Sequence, residues 1–482
     1  MTRFLPAEEF APKAYALLPC RFEPLDEGLI LSNMAGEPMF IDRSRFEALV
    51  QGRFSTTDPL FPELRAKHFV REPGEQHPIE LLALKVRTKY AHLADFTNLH
   101  LFVVTLRCDH SCQYCQVSRQ SEDKLRYDMT PETADKALDL VFLSPNPAIK
   151  IEIQGGEPLL NWPVVEHIIL GAEARNRVAR RALQIVIATT LSLVTDDMLY
   201  FCRDHNVLLS SSLDGPADLH DRNRPRPGRD SHAKFVAGLT KARDIVGADA
   251  VSALMTTAPA SMDRVRDIID EYVRLGFRDI FLRHVSPYGF AAKTRSYAAY
   301  NAQKWLEFYK EGLRYILELN AAGVPFVENY SRLLLTKMLT PRDPGFVDLS
   351  NPCGAGILAV VFNYDGEVYA SDESRMLKEM GDASFRIGDV HKNTYKEIFT
   401  SDALLTVLDE SFTLSAPMCS DCALEPWCGT DPVFHHGMTG DLLGRKPASE
   451  FCKRQMGAVK HLLRLMRDNS DAQRLFRRWA GC

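Results

Sequence analysis

The chain has 482 residues, 45% of them hydrophobic and 25% charged, so it is too long for one small core and is neither disordered nor fibrous. Its net charge of -5 gives no general ground for a nucleic acid or an anionic membrane as partner. The first residues, MTRFLPAEEFAPKAY, lack the long apolar segment of a signal peptide, and runs such as ILAVVF from Ile357 fall far short of a bilayer span, so a cytoplasmic protein is expected.

In chain order, residues 1–98 read as a small α+β unit. GLILSNMAGEPMFID gives two short strands around an Ala-Gly turn, and RSRFEALVQGRF an amphipathic helix. The outline fits a winged-helix-like module, and many other small α+β units share it. From 99 to 330 the pattern alternates. Apolar, β-branched runs begin at Leu101, Ile149, Leu183, Asn206, Val251 and Asp279, with helical stretches such as TPETADKALDLVF and SHAKFVAGLTKARDIVG between them. Six such units predict a parallel sheet closed into a partial (βα)6, TIM-like barrel, with ligands at the C-terminal strand ends. Polar residues and glycines fall at those ends: GGEP (155–158), ATT (188–190), SSSLDGP (210–216) and RHVSPYG (283–289).

Residues 331–482 form a third, cysteine-rich unit. AVVFNYDGEVYASDESRM has the form of a hairpin about a YDG turn, and a long helix closes the chain from QMGAVKHLLRLMRD onward. Arg464, Arg467, Arg474, Arg477 and Arg478 on that helix read as a solvated face.

Seven of the 11 cysteines fall in two sets, Cys108/Cys112/Cys115 and Cys419/Cys422/Cys428/Cys452. Cys20, Cys202, Cys353 and Cys482 stand apart, the first two reading as small buried apolar residues. Clustered cysteines in a reducing compartment point to metal before disulfide. Three thiolates around a four-iron cubane leave one iron open to a small chelating molecule. Zinc is the rival in both places, catalytic with three protein ligands or structural with four.

C-x3-C-x2-C with Tyr114 before the last cysteine, followed by GGEP on the next strand, resembles the radical S-adenosylmethionine (SAM) enzymes. The resemblance implies that Cys108, Cys112 and Cys115 hold a [4Fe-4S] cluster whose open iron chelates SAM, and that reductive cleavage of SAM gives a 5′-deoxyadenosyl radical. Gly155, Gly156, Glu157 and Pro158 would then receive the amino group of SAM. A carboxylate suits an ammonium, and glycines let carbonyls approach. SLDGPADLHDRNR resembles the strand-four motif of the peptide-modifying branch, which implies Ser212 and Arg224 at the SAM carboxylate and Asp214 at ribose or substrate.

The C-x2-C-x5-C spacing behind a hairpin resembles the SPASM domain, whose full versions hold two auxiliary clusters. Cys353 and Gly366 match its opening, but Ser371 and Pro432 stand where two ligands of the inner cluster belong. One auxiliary [4Fe-4S] cluster is therefore expected, on Cys419, Cys422, Cys428 and Cys452, with Cys353 left without its set. Asp372, beside the substituted position, matches the general base of some relatives.

TLRCDHSCQYCQVSRQSED, QGGEPLLNW, LDGPADLHDRNRPRPG and DESRMLKEMGD together resemble the B-type maturases of His-Xaa-Ser repeat peptide systems. That implies a ribosomally made peptide or small protein as substrate, a sister radical SAM maturase as partner, and flavodoxin or ferredoxin as external one-electron donor. Two alternatives stay open: a sulfatase-type maturase oxidising a Cys or Ser side chain, and a non-catalytic iron–sulfur or zinc scaffold that binds peptide.

Overall fold

A computed structural model describes residues 14–293 and 301–482. The reading of the first residues as lacking a signal segment falls largely outside that range.

Five parallel strands carry the architecture: β1 (Leu99–Thr105), β2 (Ala148–Gly155), β3 (Ala182–Thr189), β4 (Leu208–Ser212) and β5 (Val251–Leu254), side by side in chain order. Helices α1 (Pro131–Val141), α2 (Trp162–Ala179), α3 (Asp196–Asp204), α4 (Ala217–Asn223), α5 (Ser231–Ile245) and α6 (Val265–Arg274) connect and cover them. The strands read as near-continuous apolar runs because helices bury them: Phe102, Val104, Ile151, Ile153 and Ile187 are all fully buried. Side-chain caps set the helix starts. Thr130 accepts from the Thr133 N–H ahead of Pro131, and Thr195 from the Met198 N–H.

The expected sixth barrel strand departs from this plan. Asp279–Ile280 pairs with Val327–Glu328 in a separate two-stranded sheet, joined to the β5 side only by a Thr257–His284 bridge. The backbone of the run finds other partners. The Leu282 N–H donates to the Glu328 carboxylate at 3.1 Å, and the Arg283 N–H turns back to the Phe281 carbonyl at 2.7 Å. The sheet grows at its other edge instead. β6 (Ala359–Phe362) lies parallel to β1, and β7 (Glu367–Tyr369) and β8 (Arg386–Asp389) follow antiparallel, giving a mixed eight-stranded sheet. The hairpin read as part of a C-terminal unit is thus continuous with the central sheet.

The N-terminal segment has three antiparallel strands, Cys20–Leu25, Gly28–Asn33 and Pro38–Asp42. The first was not legible as a strand because Pro24 interrupts its pattern. This unit has its own core of Leu29, Leu31, Met39, Leu64 and Phe69 and docks on the C-terminal region. Arg21 pairs with Glu425 at 3.0 Å, and the Trp427 indole N–H donates to the Gly36 carbonyl at 2.8 Å.

The helices α7 (Asp372–Lys378), α8 (Pro432–Thr439), α9 (Glu450–Asp468) and α10 (Ser470–Ala480) complete the part used below. The expected single terminal helix breaks at Asn469, whose side chain caps α10. Arg464 and Arg467 are not a free solvated face: both bind Asp26 of the N-terminal unit, at 2.9 and 2.8 Å. Cys202 is buried and Cys20 half-buried, while Cys482 is exposed. Among the described residues no helix is long and apolar enough to cross a membrane.

Candidate functional site

A cavity of about 210 Å³ opens at the C-terminal ends of β1 to β5. Every strand contributes: Cys108, Cys112, Tyr114 and Cys115 after β1, Gly155 and Gly156 at the end of β2, Thr189 and Thr190 after β3, Ser210 to Ser212 on β4, and Leu254 to Thr256 after β5. Burial raises the Cys108 thiol well above its ordinary value and the Cys112 thiol up to about 12.

The two glycines are required by a close approach. A Cβ on Gly155 would stand 2.3 Å from the Thr105 carbonyl oxygen, and one on Gly156 only 2.1 Å from that of Arg107. The Gly156 N–H donates to Thr105 at 2.8 Å and the Glu157 N–H to Arg107 at 2.8 Å, so the GGEP segment is stitched to the start of the cysteine loop.

Glu157 lies behind the glycines. Its carboxylate is fully buried and does not line the cavity. It accepts from the Thr189 hydroxyl (2.7 Å), the Thr190 N–H and hydroxyl (both 2.8 Å) and the Leu159 N–H (3.2 Å). With four donors already on it, the carboxylate organises the neighbouring strand end. Pro158 opens the short turn Pro158–Asn161 and also lies behind the wall.

Asp214 also lies behind the lining. Ser212 and Arg224 line the cavity, but Asp214 is fully buried beneath them. Arg224 Nε stands 3.1 Å from Asp214 Oδ1, the Tyr114 hydroxyl donates to Oδ2, and the guanidinium lies 5.5 Å from the Tyr114 ring centroid. Burial acts most strongly and would lower Arg224, but Asp214, Tyr114 and Cys112 together outweigh it and hold the guanidinium above its ordinary value.

Asp372, in the first turn of α7, lines the same cavity beside Met376, with Arg375 Nε 3.4 Å from its carboxylate. A second cavity of about 300 Å³ shares Gln154, Leu254, Arg283 and Asp372 with the first and adds Glu152, Asp348 and Glu373 to its wall. Arg283 and Gln154 were not singled out from the sequence. The available signal was the polar RHVSPYG stretch, which marks a strand end without saying which side chain faces inward.

The C-terminal cysteines are gathered from four local turns. Cys419 and Cys422 sit in successive turns, Cys428 follows the short helix Glu425–Trp427, and Cys452 lies in the first turn of α9, where its N–H donates to the capping Ser449. Burial first, then Cys452, Cys422 and Cys419, raise the Cys428 thiol, while the Cys422 thiol is pushed up to about 11. Cys353 lies elsewhere, buried, with its N–H on Ser411 at 3.1 Å. Ser371 caps α7 in a reciprocal box with Ser374, and Asp431 caps α8 just ahead of Pro432. The two positions that lack a cysteine are thus occupied by helix starts. Asp431, Asp348 and Glu373 are the charges that act on the Cys353 thiol.

A closed tetrahedral zinc site brings thiolates to about 3.8 Å of one another, given Zn–S bonds of about 2.3 Å. Among the described residues, the only compact group of three or more such ligands is Cys108, Asp109 and His110, whose atoms lie within 4.8 Å. There His110 Nδ1 is already bonded to Asp109 and Nε2 to Ser231. Both cysteine sets offer thiols alone and are partly exposed.

Residues 102–272 match the family model described as the Radical SAM superfamily. The radical SAM cyclopropyl synthase TigE of Paramaledivibacter caminithermalis is 28% identical over 131 residues, 24% of this chain and 27% of that protein. The serine-type anaerobic sulfatase-maturating enzyme of Bacteroides thetaiotaomicron is 27% identical over 158 residues, 32% and 38% of the two chains. The chain thus spans between about a quarter and a half of the length of the curated relatives it matches. Among solved structures, anSMEcpe with bound AdoMet superposes with a TM-score of 0.64 at 17% identity, covering 80% of this chain and 97% of that one. Streptococcus suis SuiB bound to its precursor peptide SuiA superposes with 0.54 at 12% identity, over 91% and 99%.

Proposed function

On the premise that residues 102–272 are a radical SAM domain and the chain a radical SAM enzyme, we propose that it modifies a ribosomally made peptide or small protein, of the His-Xaa-Ser system type. The observation that carries the reading is the single cavity where three cysteines, the two close-packed glycines and a largely buried arginine converge at the strand ends. When bound and reduced, a [4Fe-4S] cluster with SAM supplies a 5′-deoxyadenosyl radical able to take a hydrogen atom from a substrate.

The chain's own residues have distinct parts in this proposal. Cys108, Cys112 and Cys115 hold the cluster. The backbone at Gly155 and Gly156, free of side chains, receives the SAM ammonium, and Glu157 fixes that segment from behind. Ser212 and Arg224 receive the SAM carboxylate, with Asp214 and Tyr114 holding the guanidinium in place. Asp372 stands where the two cavities meet and serves as base toward a substrate lying in the second one. Cys419, Cys422, Cys428 and Cys452 hold one auxiliary cluster. The peptide reading draws support from the solved SuiB and anSMEcpe structures, described as holding a precursor peptide and the Cp18Cys peptide. In the finer layout proposed here, residues 1–98 serve recognition, 99–330 the radical SAM core and 331–482 a SPASM-like domain, with a flavodoxin or ferredoxin donor and a sister maturase as partners.

Anaerobically reconstituted, dithionite-reduced protein is expected to release 5′-deoxyadenosine from SAM, and Cys112→Ala to release none. Absence of 5′-deoxyadenosine from the wild type under several reductants sinks the reading. The relationship to the Bacteroides maturase favours one second reading, oxidation of a Cys or Ser side chain on a sulfatase. Co-expression with neighbouring small peptides and with a sulfatase, followed by mass spectrometry, separates the two by which product loses hydrogen.

A further inference from the structure

Behind the cavity wall, hydrogen bonds tie the two ends of the cysteine loop into a ring that includes three residues with no part in the function just proposed, His110, His220 and Ser231. The Tyr114 hydroxyl donates to Asp214. The Asp214 backbone N–H lies 3.2 Å from His220 Nδ1, and His220 Nε2 lies 3.0 Å from Ser231 Oγ. Ser231 Oγ is 2.9 Å from His110 Nε2, and His110 Nδ1 is 2.7 Å from Asp109 Oδ1, back in the cysteine loop. Asp214, His220, Ser231 and His110 are each at most 2% exposed.

Donor chemistry orients every link. A backbone N–H can only donate, so His220 Nδ1 is the acceptor and its proton sits on Nε2. That proton goes to Ser231 Oγ, and the single hydroxyl hydrogen of Ser231 is left for His110 Nε2. His110 therefore carries its proton on Nδ1 and donates to Asp109. In this arrangement the two imidazoles carry their donating N–H on opposite ring nitrogens, and the serine accepts from one ring and donates to the other. Burial first, then Arg224 and the neighbouring His232 and His110, lowers His220 well below its ordinary value, in keeping with a neutral ring. Beside the ring, the Ser192 hydroxyl donates to Asp109 at 2.7 Å and the Thr190 hydroxyl to the buried Glu157 at 2.8 Å, which brings the GGEP support next to the cysteine loop.

The ring thus joins the cysteine loop and the strand-four motif, with the GGEP segment beside it. Ser231 belongs to none of them. It is the first residue of α5, and its hydroxyl does not cap the helix. We infer that Ser231 is a positioning residue, which sets the cysteine loop against Ser212 and Arg224 through His110 and His220 and thereby tunes SAM binding. The inference rests on the SAM-binding role proposed for this cavity.

The test compares reconstituted wild type, Ser231→Ala and Ser231→Thr by SAM equilibrium dialysis and by the EPR spectrum of the reduced protein with and without SAM. Ser231→Ala is expected to bind SAM about tenfold more weakly and to show an altered SAM-induced EPR change, with Ser231→Thr restoring both to within about threefold. Loss of iron from Ser231→Ala at an unchanged apoprotein melting temperature supports the same assignment, since the ring holds the cysteine loop. A lowered apoprotein melting temperature with SAM affinity and EPR spectrum unchanged overturns it and leaves Ser231 a packing residue. If the iron-loaded wild type binds no SAM, the functional reading fails first, and that outcome is distinct from a wild type and variants that bind SAM equally.

Discussion

Arg224 and Asp214 form an ion pair at 3.1 Å in which only the arginine reaches the cavity. The aspartate is fully buried and holds Tyr114 as well, so one carboxylate fixes both a side chain from the cysteine loop and one from the strand-four motif. Asp214→Asn leaves a largely buried guanidinium without its counter-charge, and a loss of about 3–5 kcal/mol in stability is expected by denaturant unfolding of the apoprotein. The double variant Asp214→Asn/Arg224→Gln is expected to recover part of that stability, yet not SAM binding, because the cavity then lacks its cation.

Glu157→Gln separates the two readings of the GGEP carboxylate. An amide keeps one oxygen and replaces the other by an NH2, so in either orientation a donor faces a backbone N–H, that of Thr190 or that of Leu159, where the carboxylate now only accepts. A loss of about 2–3 kcal/mol in apoprotein stability is expected, read as a lower denaturant midpoint with the m-value unchanged. A variant as stable as wild type but blind to SAM would restore the reading in which Glu157 meets the ammonium directly.

The carboxyl of Asp431 is pushed up to about 7 by burial and then by Glu373. Its unfolded value is about 4, so between about pH 4 and pH 7 the folded state binds more protons than the unfolded one, and this group's stabilising contribution is lost as pH rises through that window. Asp431→Asn keeps the cap on α8, since asparagine caps as well as aspartate, but removes the titration. The fall in melting temperature from pH 4.5 to 8 is expected to become shallower, the remainder coming from Asp348 and Glu373, which burial also raises to about 7, with the variant about 2 kcal/mol more stable than wild type near pH 7.5.

Iron analysis of the reconstituted chain is expected to give about eight irons, from two cubanes of four. Cys422→Ala should lower the count to about four while SAM still perturbs the EPR spectrum of the remaining cluster. About twelve irons in the wild type would mean that Cys353 takes part in an inner cluster despite the helix starts at Ser371 and Pro432. About four would remove the auxiliary site, and a stoichiometric zinc in its place would answer the metal question for Cys419, Cys422, Cys428 and Cys452.

The alternation of apolar runs with capped helices was enough to read five parallel strands, because burial on both faces writes itself into composition. The same logic placed the cysteine triad, the glycines and Ser212 at strand ends, and the cavity gathers them. It failed at Asp279–Ile280, where the backbone hydrogen bonds go to Glu328 and Thr257 and no propensity could foretell the partner. It failed too for Arg464 and Arg467, whose partner Asp26 is more than 430 residues away in the chain.

Which residues are present, and which thiols are missing from a pattern, is a property of the sequence alone. Spacing delivered the open triad, the four-cysteine set and the orphan Cys353. Only the tertiary structure decided what each carboxylate does. Glu157 and Asp214 sit in motifs that suggested direct contact with a ligand, yet both are buried behind the wall with their oxygens bonded to protein donors. Whether a carboxylate faces a cavity or supports its lining depends on donors brought from other strands, and those donors are neighbours in space rather than in the chain.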